Sequence, residues 1–474
     1  MDIRKINTSS LILLKKLRST MTPSQIVTLS FLIIILIGTV LLKLPFSQAE
    51  SAESISFLDC LFTATSAVCV TGLVTVTTAT SWSILGKIII LLLIQIGGLG
   101  LVAIITYLGI HLGKRITLKE RLTLQTAFNH TDFHGMVRMV MFVIRGTLIC
   151  EGIGAIILFI GFFMDGTGFL TALFYGIFHS VSAFCNAGFD IIGEQSLISY
   201  GSNVFICIPI MLLIIIGGIG FSVWADLIHN IKNHYSSKTK QRWKFTLHTK
   251  LVLITTGLLL LTGSIYFLAA EYDNTQLWGN EGFGEKMFKA LFQSVTLRTA
   301  GYATVNQAAL GETSKFISGL FMIIGGSPGG TAGGIKTVTL AVVICSVWSV
   351  MKGRYTIDVF HKNIPLQLLQ KSLTIIIIMT ALLCTGTAIL TFTEHNNAYS
   401  HLTVDLFYEV ASALGTVGLT TGITPFLSSQ GKLLLILCMF IGRIGPISIL
   451  ISLSKRGEKA NNNIRYPKED ILIG

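Results

Sequence analysis

The sequence predicts an all-α polytopic membrane protein. Four tandem units, each a helix, a re-entrant loop and a second helix, supply eight transmembrane helices around a pseudo-fourfold pore. Composition is the first observation behind this: of 474 residues, 51% are hydrophobic and 12% charged, and the mean hydropathy of +0.72 lies outside the range of soluble globular chains. The second is the length of the apolar runs. A bilayer core takes roughly 20 helical residues, and runs of that order lie near 25–43, 86–111, 140–163, 203–221, 250–269, 371–392 and 432–452, with an eighth, 316–350, interrupted in its middle. The third is internal repetition: "FTATSAVCVTGLVTV" from Phe62, "FHSVSAFCNAGFDII" from Phe178, "FQSVTLRTAGYATV" from Phe292 and "YEVASALGTVGLTTG" from Tyr408 share one glycine. Gly72, Gly188, Gly301 and Gly418 are 116, 113 and 117 residues apart, so the chain is four copies of one unit.

Taken in order, residues 1–21 form a cytoplasmic N-terminus. The run at 25–43 follows Lys15, Lys16 and Arg18 as a signal peptide would, but it is longer than a signal core and the repeat requires it as a retained helix. The repeats occupy 22–113, 114–231, 232–352 (its second helix broken) and 353–455, and 456–474 is a cytoplasmic tail. In each unit a spanning run leads through a polar loop to a short apolar segment, the glycine stretch and a second spanning run. The short segment cannot cross a bilayer and reads as a re-entrant helix. The second spans carry "IGGLG" at Ile96, "IGGIG" at Ile216, "IGGSPGG" at Ile324 and "IGRIG" at Ile441; taken alone, these marks read as notches for helix packing. Lys and Arg gather at 4–18, 114–121, 232–250, 352–371 and 455–468, which places both termini in the cytoplasm. The net charge of +12 reflects that topology and attraction to the lipid bilayer's anionic headgroups rather than to nucleic acid. The eight cysteines have no metal or redox spacing and read as small packing residues.

Non-helical backbone at membrane depth leaves polar groups without partners unless it lines a watery cavity or is wrapped in protein. Four such loops meeting on one axis satisfy themselves by presenting carbonyl oxygens to a dehydrated cation. Glycine permits the left-handed backbone angles this needs. Each short helix also points its partly negative C-terminus inward. The construction is a cation pathway.

With its four glycine stretches, "GGSPGGTAGGIK" and "FIGRIGP" in order, the chain resembles the Trk/Ktr/HKT superfamily of potassium transporters from about Thr22 onward. Its short N-terminal segment and its ending "NIRYPKEDILIG" are similar to the bacterial Ktr-type membrane subunit (KtrB-like). The resemblance implies a multi-pass protein of the bacterial plasma membrane and a homodimer with one pore per protomer. It further implies potassium uptake, often stimulated by sodium, under a separate cytosolic regulatory ring of Rossmann-type nucleotide-binding domains (KtrA-like). The chain has no Rossmann unit of its own: "CEGIGAII" at Cys150 lies inside a spanning run, so nucleotide acts only through the partner. The parallel order of the units favours a pore over the competing reading, a secondary transporter with alternating access for another monovalent cation. No catalytic constellation suggests an enzyme.

The selectivity filter is assigned to Val70, Thr71, Gly72 and Leu73; Asn186, Ala187, Gly188 and Phe189; Thr299, Ala300, Gly301 and Tyr302; and Thr416, Val417, Gly418 and Leu419, with potassium at their backbone carbonyls. The segment Gly325, Gly326, Ser327, Pro328, Gly329, Gly330, Thr331, Ala332, Gly333, Gly334 holds six glycines and a proline in ten residues, which no continuous helix tolerates. It is assigned as an intramembrane gate. Arg443 stands where the other marks carry their second glycine. A charge there must face the cavity, and the carbonyls of the 325–334 segment are its expected partners. Lys336, just after the segment, either belongs to the gate or anchors to the cytoplasmic side. Asp59 reads as a helix-start residue, Glu409 and Arg298 as supports behind the filter, and His179 as structural; Arg145 and Glu151 in the third spanning run either pair within the bundle or sit near an interface.

In the superfamily, a serine in place of the first filter glycine accompanies sodium preference, and this chain has glycine in all four units. Gly72→Ser is therefore expected to shift permeation toward sodium. Equal potassium-to-sodium flux ratios in the variant and the parent would contradict the assignment.

Overall fold

The computed structural model describes residues 21–50, 54–113, 116–128, 135–236, 243–395, 397 and 403–446. The expectations for the N-terminal segment up to residue 20 and for the 456–474 tail lie outside the described residues. Helix α1 (Pro23–Lys43) starts on a reciprocal cap, with Thr22 Oγ1 accepting from the Gln25 amide and Gln25 Oε1 accepting from the Thr22 amide. The short helix α2 (Phe57–Cys69) is capped by Ser56. The rest of unit one is α3 (Ile84–Leu99) and α4 (Leu101–His111), and α5 (Leu118–Phe128) leads onward. Unit two consists of α6 (Met136–Met164), short α7 (Phe169–Phe184), α8 (Val204–Gly218) and α9 (Phe221–Ser236). Unit three has α10 (Leu247–Ala270), short α11 (Phe283–Thr296), α12 (Glu312–Ile323) and α13 (Thr337–Met351); unit four has α14 (Leu366–Thr393), short α15 (Thr403–Gly415) and α16 (Ser429–Ile444). A hairpin, β1 (Ile357–Val359) antiparallel to β2 (Lys362–Ile364), joins units three and four and packs Ile357 and Ile364 near Val342. It is a small departure from the all-α expectation.

The first helices α1, α6, α10 and α14 are long and apolar enough to span a membrane. They turn large apolar side chains outward: Ile37, Ile156, Ile265 and Ile377 are all more than half exposed, a cost in water and none in lipid. The short helices sit inside, and the aromatic residues that open the repeated stretches, Phe62, Phe178, Phe292 and Tyr408, are 0% exposed.

The second helices correct the sequence reading. The run at 86–111 is not one straight helix: α3 and α4 meet at 91°, and α8 and α9 at 99°. The break expected in unit three alone thus has counterparts in units one and two. The cause is the last glycine of the repeated mark. Gly100, Gly220 and Gly445 take φ of 83°, 93° and 88°, left-handed values that end a helix and that only glycine adopts freely. In unit four α16 stops before Gly445, and the remainder of the expected run lies outside the described residues.

The first glycine of the mark has a different role. A methyl carbon on Gly97, Gly217 or Gly442 would sit 2.1, 1.9 or 2.1 Å from the carbonyl oxygen of Val68, Phe184 or Leu414. The second helix therefore rests directly on the C-terminal turn of its own unit's short helix. At the C-terminal ends of α14 and α10, Glu394 accepts from the Ser428 amide (3.1 Å) and hydroxyl (2.5 Å), and Glu271 accepts from the Gly311 amide (3.0 Å), tying first helix to second. Lys315–Asp405 and Lys432–Asp59 ion pairs, both 2.9 Å, link unit three to four and four to one, so the circle of units closes. Glu151 does not pair with Arg145, which is exposed; its carboxylate accepts from Gln95 Nε2 at 3.1 Å and lies 3.8 Å from Cys185 Sγ. Helical phase explains this, because residues six apart lie on different faces.

Two neighbouring glycines provide a controlled test. Gly217→Ala forces a methyl onto backbone and is expected to cost roughly 1–3 kcal/mol. Gly218→Ala meets nothing nearer than Asn186 Nδ2 at 3.5 Å and is expected to be close to neutral. Thermal unfolding of the purified proteins in detergent checks the difference; equal midpoints would contradict the close approach.

Candidate functional site

Each short helix ends in the same backbone device. The residue two before the shared glycine is left-handed: Val70 (φ 57°), Asn186 (60°), Thr299 (65°) and Thr416 (52°), and the glycines follow at 94°, 67°, 82° and 97°. Left-handed conformations in non-glycine residues cost of order 1–3 kcal/mol each and persist where surrounding contacts impose them. Here the contacts are hydrogen bonds to the helix end. The amides of Thr71, Ala187 and Val417 donate to the carbonyls of Ser66, Ser182 and Ser412 at 2.8 Å. Unit three is one residue shorter between its aromatic and its glycine, and Ala300 donates instead to Thr296 at 2.9 Å. Hydroxyls of the same residues hold the loop tips: Ser66 and Ser412 accept from the amides of Gly72 and Gly418 (both 3.0 Å), whereas Ser182 and Thr296 donate to the carbonyls of Phe189 (2.8 Å) and Tyr302 (2.6 Å). The sequence reading passed over these hydroxyls. Their signal was present in the recurrence of serine at Ser66, Ser182 and Ser412, six residues before the glycine.

The four stretches meet. A methyl carbon on Gly72 would lie 2.4 Å from Ala187 O, on Gly188 2.5 Å from Ala300 O, on Gly301 2.4 Å from Val417 O, and on Gly418 2.1 Å from Thr71 O. That order, one to two to three to four to one, is a closed ring. The oxygen of the residue before each glycine is turned against the preceding unit's glycine, so all four surround one axis. Support comes from behind. Fully buried Glu409 accepts from Thr420 Oγ1 (2.5 Å), the Thr421 amide (3.1 Å) and Thr424 Oγ1 (2.7 Å), and Tyr302 Oη donates to Phe189 O at 3.2 Å. Arg298 is also buried. Its carbonyl accepts from Asn186 Nδ2 at 3.3 Å, while its Nε and Nη2 have no hydrogen-bond partner among the described residues. No cluster of three or more His, Cys, Asp or Glu that would suit a metal occurs among the described residues. Chemically, a ring of backbone oxygens walled by buried side chains is an arrangement able to stand in for the hydration shell of a monovalent cation.

Residues Gly325–Gly334 lie against this ring. Helix α12 stops at Ile323, and the segment closes on itself through Gly325 N to Ile335 O (2.9 Å) and Thr337 N to Gly326 O (3.0 Å). It docks on the bend of unit two. Ser327 N donates to Gly218 O (2.8 Å), Thr331 N to Gly217 O (3.2 Å), and Phe221 N to Gly329 O (3.0 Å), which satisfies the carbonyls left open at the end of α8. Its other side faces three of the left-handed residues. Thr331 Oγ1 donates to Phe184 O (3.1 Å) and Asn186 Oδ1 (3.3 Å). A methyl carbon on Gly333 would lie 2.1 Å from Thr416 Oγ1, and one on Gly325 3.2 Å from Thr299 Cγ2.

Two cations hold the segment. Arg443 donates through Nη1 to Thr331 O, and through Nη2 to Gly97 O (2.6 Å) and Gly98 O (3.2 Å). One guanidinium thereby joins the segment to unit one's second helix. Lys336 Nζ donates to Ala332 O at 2.5 Å, so it belongs to the segment rather than to a distant anchor. Buried charge in a membrane is costly unless it meets polar partners; backbone carbonyls meet it here.

The cation transport protein family described by the TrkH model matches residues 4–464. The potassium/sodium uptake protein NtpJ of Enterococcus hirae is 37% identical over 98% of this chain and 100% of its own length. The Ktr system potassium uptake protein D of Bacillus subtilis is 36% identical over 97% of this chain and 99% of its own. Among solved structures, the potassium transporter TrkH from Vibrio parahaemolyticus superposes with a TM-score of 0.63 at 20% identity, covering 90% of this chain and 85% of that one; the likeness is one of fold.

Arg443→Leu removes the bonds to Thr331, Gly97 and Gly98. Hydrogen exchange of the amides in 325–334 is expected to accelerate by roughly tenfold, the equivalent of one charge-assisted hydrogen bond. Unchanged exchange would show that the arginine does not hold the segment.

Proposed function

The chain belongs to the TrkH family of cation transport proteins, and from that premise we propose that it conducts potassium inward, channel-like, through the ring of four glycine stretches. It is a membrane cation transporter and, with its family, not an enzyme. The four repeats, 22–113, 114–231, 232–352 and 353–455, form one pore per protomer. Val70–Leu73, Asn186–Phe189, Thr299–Tyr302 and Thr416–Leu419 are its selectivity filter. Gly325–Gly334, with Lys336 and Arg443, is its gate. The observation that carries this reading is the closed ring of Thr71, Ala187, Ala300 and Val417 oxygens against four glycines, with the glycine-rich segment pressed to one side of it. The relatives named for potassium uptake, one of them also for sodium, support potassium as cargo and sodium as a second ion.

The relatives named as parts of a Ktr system support a membrane subunit of a larger assembly; in this reading it works as a homodimer in the plasma membrane, with both termini on the cytoplasmic side that the Lys and Arg distribution favours. Its regulator is a separate cytosolic ring binding nucleotide. Units that all run in one direction favour this pore over alternating access.

Purified protein in liposomes, with rubidium as tracer, tests the proposal. Selective influx without an organic co-substrate is expected. Deletion within 326–333 is expected to raise it by roughly tenfold or more, as when a mostly closed state is removed. A well-folded deletion variant with unchanged or abolished influx would contradict a gate, and an intact protein without selective cation influx would contradict the function.

A further inference from the structure

At the level just below the carbonyl ring, the four units present Val70, Asn186, Thr299 and Thr416, all left-handed. Three of these carry a side-chain oxygen. The hydroxyls of Thr299 and Thr416 are buried and have no hydrogen-bond partner among the described residues, an arrangement that costs free energy unless another ligand completes it. The glycine-rich segment covers the same three residues: Thr331 on Asn186, Gly333 against Thr416, Gly325 against Thr299. Resting on the pore reading above, we propose that Asn186 is a switching ligand. The segment holds its amide oxygen in the conformation described, and when the segment withdraws that oxygen, with the Thr299 and Thr416 hydroxyls, coordinates a dehydrated monovalent cation.

The bonding around Asn186 suits an exchange. Its Nδ2 donates to Arg298 O at 3.3 Å. The reversed amide would set two oxygens against each other there, so this bond fixes which end faces the segment. The opposite end, Oδ1, accepts from Thr331 Oγ1 at 3.3 Å, but that hydroxyl has one proton and also reaches Phe184 O at 3.1 Å. Shared between two acceptors, the contact is weak. Departure of Thr331 leaves Oδ1 free and still oriented from unit three, whereas Phe184 O remains at the end of its helix. The segment and the cation therefore compete for one oxygen, which couples opening to the composition of the site. Unit one breaks the symmetry, since Val70 contributes only its carbonyl.

Three single variants of the full-length chain, reconstituted in liposomes and assayed for rubidium and sodium influx, separate the roles. Val70 and Thr416 already occupy the equivalent backbone conformation, so Asn186→Val and Asn186→Thr are compatible with it. Asn186→Val is expected to lower the rubidium-to-sodium ratio by roughly three- to tenfold, the weight of one polar ligand, and Asn186→Thr to recover most of it. Thr331→Val is expected to raise rubidium influx about two- to threefold with the ratio unchanged, because the latch is lost and the ligand kept. An unchanged ratio in Asn186→Val overturns the proposal, as does a ratio that moves in Thr331→Val while influx does not. Absence of selective influx in the parent chain would instead remove the pore reading on which the proposal stands.

Discussion

Four glycines each lie against a carbonyl oxygen of the next unit, at separations no Cβ could share, and the remainder of the structure follows from that approach. Bringing four backbones to one axis excludes side chains from the centre and turns the outward-pointing ones into buried walls. A left-handed residue stands two before each glycine, at Val70, Asn186, Thr299 and Thr416, a helix ending that residues other than glycine and asparagine adopt at a cost. The serine and threonine hydroxyls, Glu409 and Tyr302 supply the hydrogen bonds that hold the strained turns. The first glycine of each second-helix mark in units one, two and four lets that helix reach the carbonyls at the end of the short helix. Close approach in the centre thus propagates outward as close approach between helices.

The same logic explains the break in unit three. In units one and two, one left-handed glycine suffices to bend the second helix, and the chain continues. In unit three thirteen residues separate α12 from α13, and the amides of Ser327 and Thr331 among them donate to the open carbonyls at the end of α8. Arg443 stands where a glycine would otherwise continue the mark, and it exchanges close packing for bonds to two units at once.

Much of this was legible in the sequence because repetition acts as an internal alignment. The shared glycine located the ring, the glycine-rich run located the interruption, and the lone arginine had to find carbonyls. Other features resisted. The bends at Gly100 and Gly220 were hidden because an apolar run reads the same whether straight or folded by 91° or 99°. The mark "IGGxG" looked like packing alone, yet its first glycine packs and its last one terminates. Glu151 went to Gln95 and Cys185 rather than Arg145, a choice set by helix phase and by elements distant in sequence. The one-residue shortening of unit three was visible, but its consequence, a changed hydrogen bond at Ala300, required the geometry.

Conduction through the ring requires that the oxygens of Thr71, Ala187, Ala300 and Val417 form one cation site on a common axis. A structure of the protein in rubidium or thallium, with anomalous scattering measured, locates that site. A peak on the axis between those four oxygens is the expected result. Anomalous density absent there and present at another set of ligands would contradict it.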